Sequence, residues 1–218
     1  MFPEQAEAFL EDVAMAFDFT KESYYLSQIA AKSTSVSSDV PYGASRSLWW
    51  DWITAGTEYR KRNAMKRDAT LKLYAPDWSL DMVKLDLAMD AYEGQEARAI
   101  TDAQAIAELR SHNFDPVFYN DLTATTGAIA APQAAGALHK WPTHVKSYIH
   151  SPGSFGRLDA GTLDVGLVRD SVLNGTNDVQ MFMEEWLGMA FLGLESIELV
   201  STVCPNGVAP AQGTPLAC

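Results

Sequence analysis

A chain of 218 residues with 47% hydrophobic side chains is long enough to bury a sizeable core and too apolar to be a disordered tail. It has no apolar run of about eighteen residues to span a bilayer, and Met1-Phe2-Pro3-Glu4 has neither the basic start nor the apolar core of a secretory signal, so the expectation is a protein made in the cytoplasm. A net charge of -12 argues against general nucleic-acid binding by the whole surface, and two cysteines, Cys204 and Cys218, form no disulfide framework and are expected to be reduced.

Residues 4–17 place Phe9, Leu10, Val13, Ala14 and Phe17 at helical spacings. A second helix is predicted from Thr20, a residue able to act as N-cap, through Leu26 and Ile29 to about Ser33. Ser33 to Gly43 is Ser-rich and contains Pro41, the composition of a loop between lobes. Next, Ser45 or Ser47 caps a helix carrying Trp49, Trp52, Ile53, Gly56 and Tyr59 at intervals of three and four. Aromatics at that spacing read as core or subunit interface rather than as a sugar- or base-stacking platform. Arg60, Lys61, Arg62, Lys66 and Arg67 follow as a basic run, read as a solvated helix face or an ion-pair partner before nucleic-acid contact.

Thr70 to Tyr74 reads as a strand, and Asp77 or Ser79 as the cap of a helix with Met82, Val83, Leu85, Leu87 and Met89. Asp81, Asp86 and Asp90 share that helix. A metal-dependent hydrolase using Asp86 with His139 or His144 is the alternative from another functional class, although His139, His144 and His150 recur at five and six residues, a spacing foreign to helical zinc pairs. Thr101-Asp102 starts a helix that ends near His112-Asn113, and Val117 to Tyr119 is a short strand. Ala124 to Ala137, small and Gly/Pro-broken, is expected to be a mobile surface loop, with a strand at Val145 to Ile149 beyond it. No nucleophile elbow, phosphate loop or dinucleotide fingerprint is present, and no metal or cofactor is implied.

Gly161 to Val203 places Asn174-Gly175 between two β-rich runs, the signal of a hairpin, and a third run at Ser196 to Val203 extends it to an antiparallel meander. The stretch carries seven carboxylates against Arg169 alone, so Arg169 is expected to pair with one of them. An acidic sheet and a basic run on one chain are complementary, within the subunit or between subunits.

In order along the chain, Leu71 to Trp78 leading into Met82 to Asp90, Thr101-Asp102, Trp141-Pro142 to Phe155, Gly161 to Ser171 with Thr176-Asn177-Asp178 and Glu184-Glu185, and Cys204-Pro205-Asn206-Gly207 resemble the major capsid proteins of tailed bacteriophages. The similarity is to the Hong Kong ninety-seven fold, especially in phages of actinobacteria. It implies an α+β, two-lobed subunit with a peripheral domain of long helix plus sheet and an axial domain of sheet flanked by helices. The implied division is 1–74 for a helical region and part of the peripheral domain, 75–160 for the axial domain, 161–207 for strands linking or shared by the lobes, and 208–218 for a flexible tail. The N-terminal arm and extended loop of such proteins have no counterpart in the matched region.

By the same resemblance the chain is a non-enzymatic subunit whose pentamers and hexamers close an icosahedral virion shell around phage DNA, assembled in the host cytoplasm with scaffold or cement proteins as further partners and no membrane. Asp164, Gly166, Arg169, Asp170, Thr176, Asn177 and Asp178 carry the family motif. Trp49, Trp52, Arg60, Lys61 and Arg62 are the candidate interface. An encapsulin-type nanocompartment shell is the alternative within the same fold.

Overall fold

The computed structural model describes residues 3–38, 45–90, 101–120, 142–159, 164–170 and 178–203; for 3–7, 85–90, 159, 164–170 and 178–183 the description is of the backbone alone. The chain is mixed α+β and divides into two compact units. The first takes residues 1–28 and 155–192, the second 29–154 and 193–218. Compactness therefore groups the chain differently from the boundaries at 74/75 and 160/161: the first of these falls inside a strand, and the second within the first unit.

The opening helix α1, Pro3–Lys32, is continuous for 30 residues, about 45 Å. Two helices with a cap at Thr20 were expected. Instead the Thr20 hydroxyl bonds back to the carbonyl of Ala16 at 2.8 Å, which satisfies the side chain inside the helix and leaves no reason to start a new one. The predicted linker at 33–43 also contains a strand, β1, Thr34–Ser38, which pairs in parallel with a strand 163 residues away in sequence. Its polar TSVSS sequence gives little strand propensity; the ladder is made by backbone groups, and the Ser33 and Ser196 hydroxyls, 2.7 Å apart, join the strand starts.

The second unit continues with α2, Ser45–Arg62; β2, Leu71–Pro76; α3, Asp77–Asp90; α4, Asp102–Ser111; β3, Phe114–Tyr119; and β4, His144–His150. Thr101 forms a full capping box at α4: its side chain accepts from the backbone N–H of Gln104, while the Gln104 side chain accepts from the backbone of Thr101. At the β2–α3 junction Asp77 accepts from the N–H of Trp78, and Ser79 donates to the carbonyl of Pro76.

The remaining strands are β5, Phe155–Asp159; β6, Asp164–Asp170; β7, Asp178–Glu184; β8, Leu187–Phe191; and β9, Ser196–Thr202. β6 and β7 form the predicted antiparallel hairpin, with Asp164 opposite Glu184 and Asp170 opposite Asp178. The Asn174-Gly175 turn and the 124–137 stretch lie outside the described residues. The meander does not form. β9 leaves the hairpin and enters the five-stranded sheet of the second unit, in the order β1-β9-β4-β2-β3, while β8 pairs with β5. The chain crosses between units just before Gly193, so the third strand belongs to a different sheet.

Alternation builds the core of the second unit. Leu71, Leu73 and Ala75 of β2, Val145, Ser147 and Ile149 of β4, and Ile197, Leu199 and Ser201 of β9 are buried at every second position. Leu48, Trp52 and Tyr59 of α2, Trp78, Met82 and Val83 of α3 and Leu109 of α4 complete the same cluster. The other set of sheet side chains is more polar: Tyr74 stacks on His150 at 5.4 Å, and Lys146 meets Glu198 at 3.6 Å.

Candidate assembly surfaces

The tryptophan helix divides its residues between core and surface. Trp52 is buried and donates from Nε1 to the Ser147 hydroxyl at 3.0 Å, a satisfied core residue and not an interface anchor. Trp49 is half-buried, edge-on to Trp52 with ring centres 6.0 Å apart. Trp50, not selected from the sequence, is the exposed member at 61%. Helical phase is the signal that separates them: Trp52 lies one turn and two turns from Leu48 and Tyr59 on the packed face, whereas Trp50 points away.

Arg60 is likewise a core pin and not an interface cation. It is 8% exposed; its Nε donates to the carbonyl of Ala69 at 2.8 Å, and its NH2 group to those of Asn113 at 3.0 Å and His112 at 3.4 Å. The guanidinium also lies 5.4 Å from the ring centre of Phe114. A fork of donors meets three carbonyls at a helix end and a turn, one of which, that of Asn113, also accepts from the Leu71 N–H at 3.0 Å, so the charge is buried with partners. Lys61 and Arg62 are exposed, and Arg62 pairs with Glu195 at 3.2 Å. One member of the basic run thus meets one member of the acidic stretch inside the second unit.

In the first unit the acidic stretch finds its cations on neighbouring elements. Glu185 lies 3.1 Å from Lys21 of α1 and 3.5 Å from Arg157 of β5, and Arg157 sits 5.3 Å over the Tyr25 ring. Glu185 and then Asp18 hold the Lys21 ammonium above its ordinary pKa. Trp186 and Leu192 are exposed at 68% and 75%, large apolar side chains that flank β8 on either side.

Of the family motif, Asp164, Gly166, Arg169 and Asp170 lie on β6 and Asp178 on β7, with Gly166 opposite Phe182 and Arg169 opposite Val179. The hairpin register brings these positions together; Thr176, Asn177 and the expected pairing of Arg169 lie outside the described residues and side chains. Asp86 is on α3, and His144 is exposed on β4 with Nδ1 3.0 Å from the Thr143 hydroxyl; His139 lies outside the described residues. Among the described residues no three His, Cys, Asp or Glu side chains converge as metal ligands, and no helix is long and apolar enough to cross a membrane.

Two buried titratable groups stand apart from these surfaces. Asp51 of α2 is 6% exposed, and burial raises its pKa; the nearby hydroxyls of Ser201 and Ser38 offset only part of the effect, and Oδ2 has no hydrogen-bond partner among the described residues. His150 is pushed down by burial and has Nδ1 2.8 Å from the carbonyl of Ser151, the geometry of a neutral imidazole donating to it. Both groups belong to the packing of the sheet.

The fold thus defines a mixed α+β protein of two compact units whose distinctive surface residues are exposed aromatics and charges. No family model and no curated protein matches the sequence. Among solved structures, the chain is similar to a protein of Mycobacterium phage Che8, with a TM-score of 0.56 and 12% identity, over 88% of this chain and 62% of that one. The two share a fold, and this chain spans about 62% of the length of its structural relative.

Proposed function

We propose that this chain is a major capsid subunit of the Hong Kong ninety-seven type, a non-enzymatic building block of the icosahedral virion shell of a tailed bacteriophage. The observation that carries the reading is the fold shared with the phage Che8 protein across 88% of the chain. In this reading the first unit, a long helix with strands, is the peripheral lobe, and the second, a five-stranded sheet with helices, is the axial lobe. The exposed Trp50, Trp186 and Leu192 support it, because apolar side chains of that size in one subunit are buried when subunits meet. The partners are further copies of the chain in pentamers and hexamers, with scaffold or cement proteins and the enclosed DNA beyond them.

The test is light scattering and negative-stain imaging of the purified chain over a range of concentrations. Rings of five or six, or closed shells, are the expected outcome. A strictly monomeric species at every concentration, with stoichiometric bound metal, would return the chain to the hydrolase class.

A further inference from the structure

The two units differ sharply in charge. Residues 1–28 and 155–192 hold twelve acids against three bases, so the first unit carries -9 of the net -12. On α1, Val13, Phe17, Lys21 and Tyr25 form the half-buried row, one turn apart. The opposite row is exposed and mixed: Met15 at 52% and Phe19 at 37%, flanked by Glu11, Asp12 and Asp18. Asp18 alone of these acids has a described cation, Lys21 at 3.2 Å.

The second unit presents the complementary chemistry. Lys61, Arg62, Lys66 and Arg67 are all exposed on the turn that ends α2, against Glu58 and Asp68 on the same stretch and Glu195 beside Arg62. The turn is pre-organised. Ala64 has φ 51, the Met65 N–H bonds to the carbonyl of Arg60 at 2.8 Å and that of Ala64 to Lys61 at 3.2 Å, a Schellman closure. Arg60 then ties the far end through Ala69, so the four cations project from a backbone that is ordered before binding. Trp50 lies eleven residues before Lys61, on the same row of α2, and supplies an apolar neighbour.

We propose that copies of this chain join head to tail, the Glu11–Phe19 face of α1 in one copy receiving the Lys61–Arg67 turn and Trp50 of the next. The occupant is a second copy because both halves of the match are present in equal number in every preparation of the chain. A contact in which each copy gives its turn to one neighbour and its α1 face to another is heterologous, the kind that closes rings when its rotation permits; a reciprocal two-fold pair would stop at dimers, so a wild type that never passes the dimer in sedimentation overturns the head-to-tail assignment. The inference deepens the shell reading and rests on it for that closure.

The test uses two full-length variants, K61E/K66E/R67E and E11K/D12K/D18K, with sedimentation velocity and imaging of each alone and mixed. Wild type is expected to associate about tenfold more weakly at high salt than at low salt. Each variant alone is expected to be monomeric, and the equimolar mixture to recover association, since every contact then pairs opposite charges again. If circular dichroism shows either variant unfolded, the corresponding glutamine set replaces it, with weakened association expected and unchanged association overturning the proposal. Folded variants that stay monomeric when mixed overturn it too. Closed shells formed by each variant alone overturn the inference and leave the shell reading standing; open filaments of the wild-type chain, with the mixture recovering association, do the reverse.

Discussion

Two residues show how far a charge can depart from the surface role its type suggests. Arg60 places one guanidinium on three backbone carbonyls and the Phe114 ring, so Arg60→Ala removes three hydrogen bonds at once, the Asn113 carbonyl keeping the Leu71 N–H at 3.0 Å, and is expected to cost about 3 kcal/mol. Arg60→Lys retains charge without the planar fork and is expected to recover less than half of that loss, as read from urea unfolding midpoints. Asp51 works in the opposite sense. Its folded pKa is raised, so the folded chain holds this proton more tightly than the unfolded chain does, and stability is lost as pH rises from the ordinary carboxylate range through the raised value. Asp51→Asn removes that loss. The midpoint difference, variant minus wild type, is expected to grow in the variant's favour from about pH 4 to about pH 8; a difference constant with pH would show that Asp51 is not the titrating group.

At the scale of elements, α2 and β3 meet so closely that a helix glycine is required. A Cβ on Gly56 would stand 2.5 Å from the end of the Phe114 ring, itself beneath Arg60. Alanine gains about 1 kcal/mol in helix propensity, and overpacking costs about 1–3 kcal/mol. Gly56→Ala is therefore expected to destabilise, and Phe114→Leu in the same chain to relieve much of the damage, a non-additivity that a double-mutant cycle measures. What the sequence showed of such elements depended on whether the signal was local. The helix start at Thr101, the strands β2, β4 and β9 and the β6–β7 hairpin were legible because each is written in a few neighbouring residues. β1 and β8 were not, since their pairing partners are remote and their own residues, TSVSS and LGMAF, carry little strand pattern. Arg60 was misplaced for a related reason: its acceptors come from two separate stretches, at Ala69 and at His112-Asn113, which composition cannot assemble.

For the whole molecule, the order of motifs carried more than any single one. It pointed to a phage fold, and the likeness to the Che8 protein over most of the chain agrees at the level of fold. The chain divides twice across its length, leaving the second unit at Ser154 and returning at Gly193. Those two residues touch: the Gly193 N–H bonds to the carbonyl of Ser154 at 3.1 Å, and a Cβ on Gly193 would fall 2.6 Å from the Ser154 Cα. Only glycine permits this approach, because the obstacle is backbone and cannot turn aside. Residues 155–192 are thus a cassette whose entrance and exit are clasped together. Doubling the length of such a loop changes its closure entropy by only about 0.6 kcal/mol. The clasp lets the acidic first unit gain, lose or exchange segments between 155 and 192 while the strand ends on either side keep their register, so surface and scaffold are free to evolve at different rates.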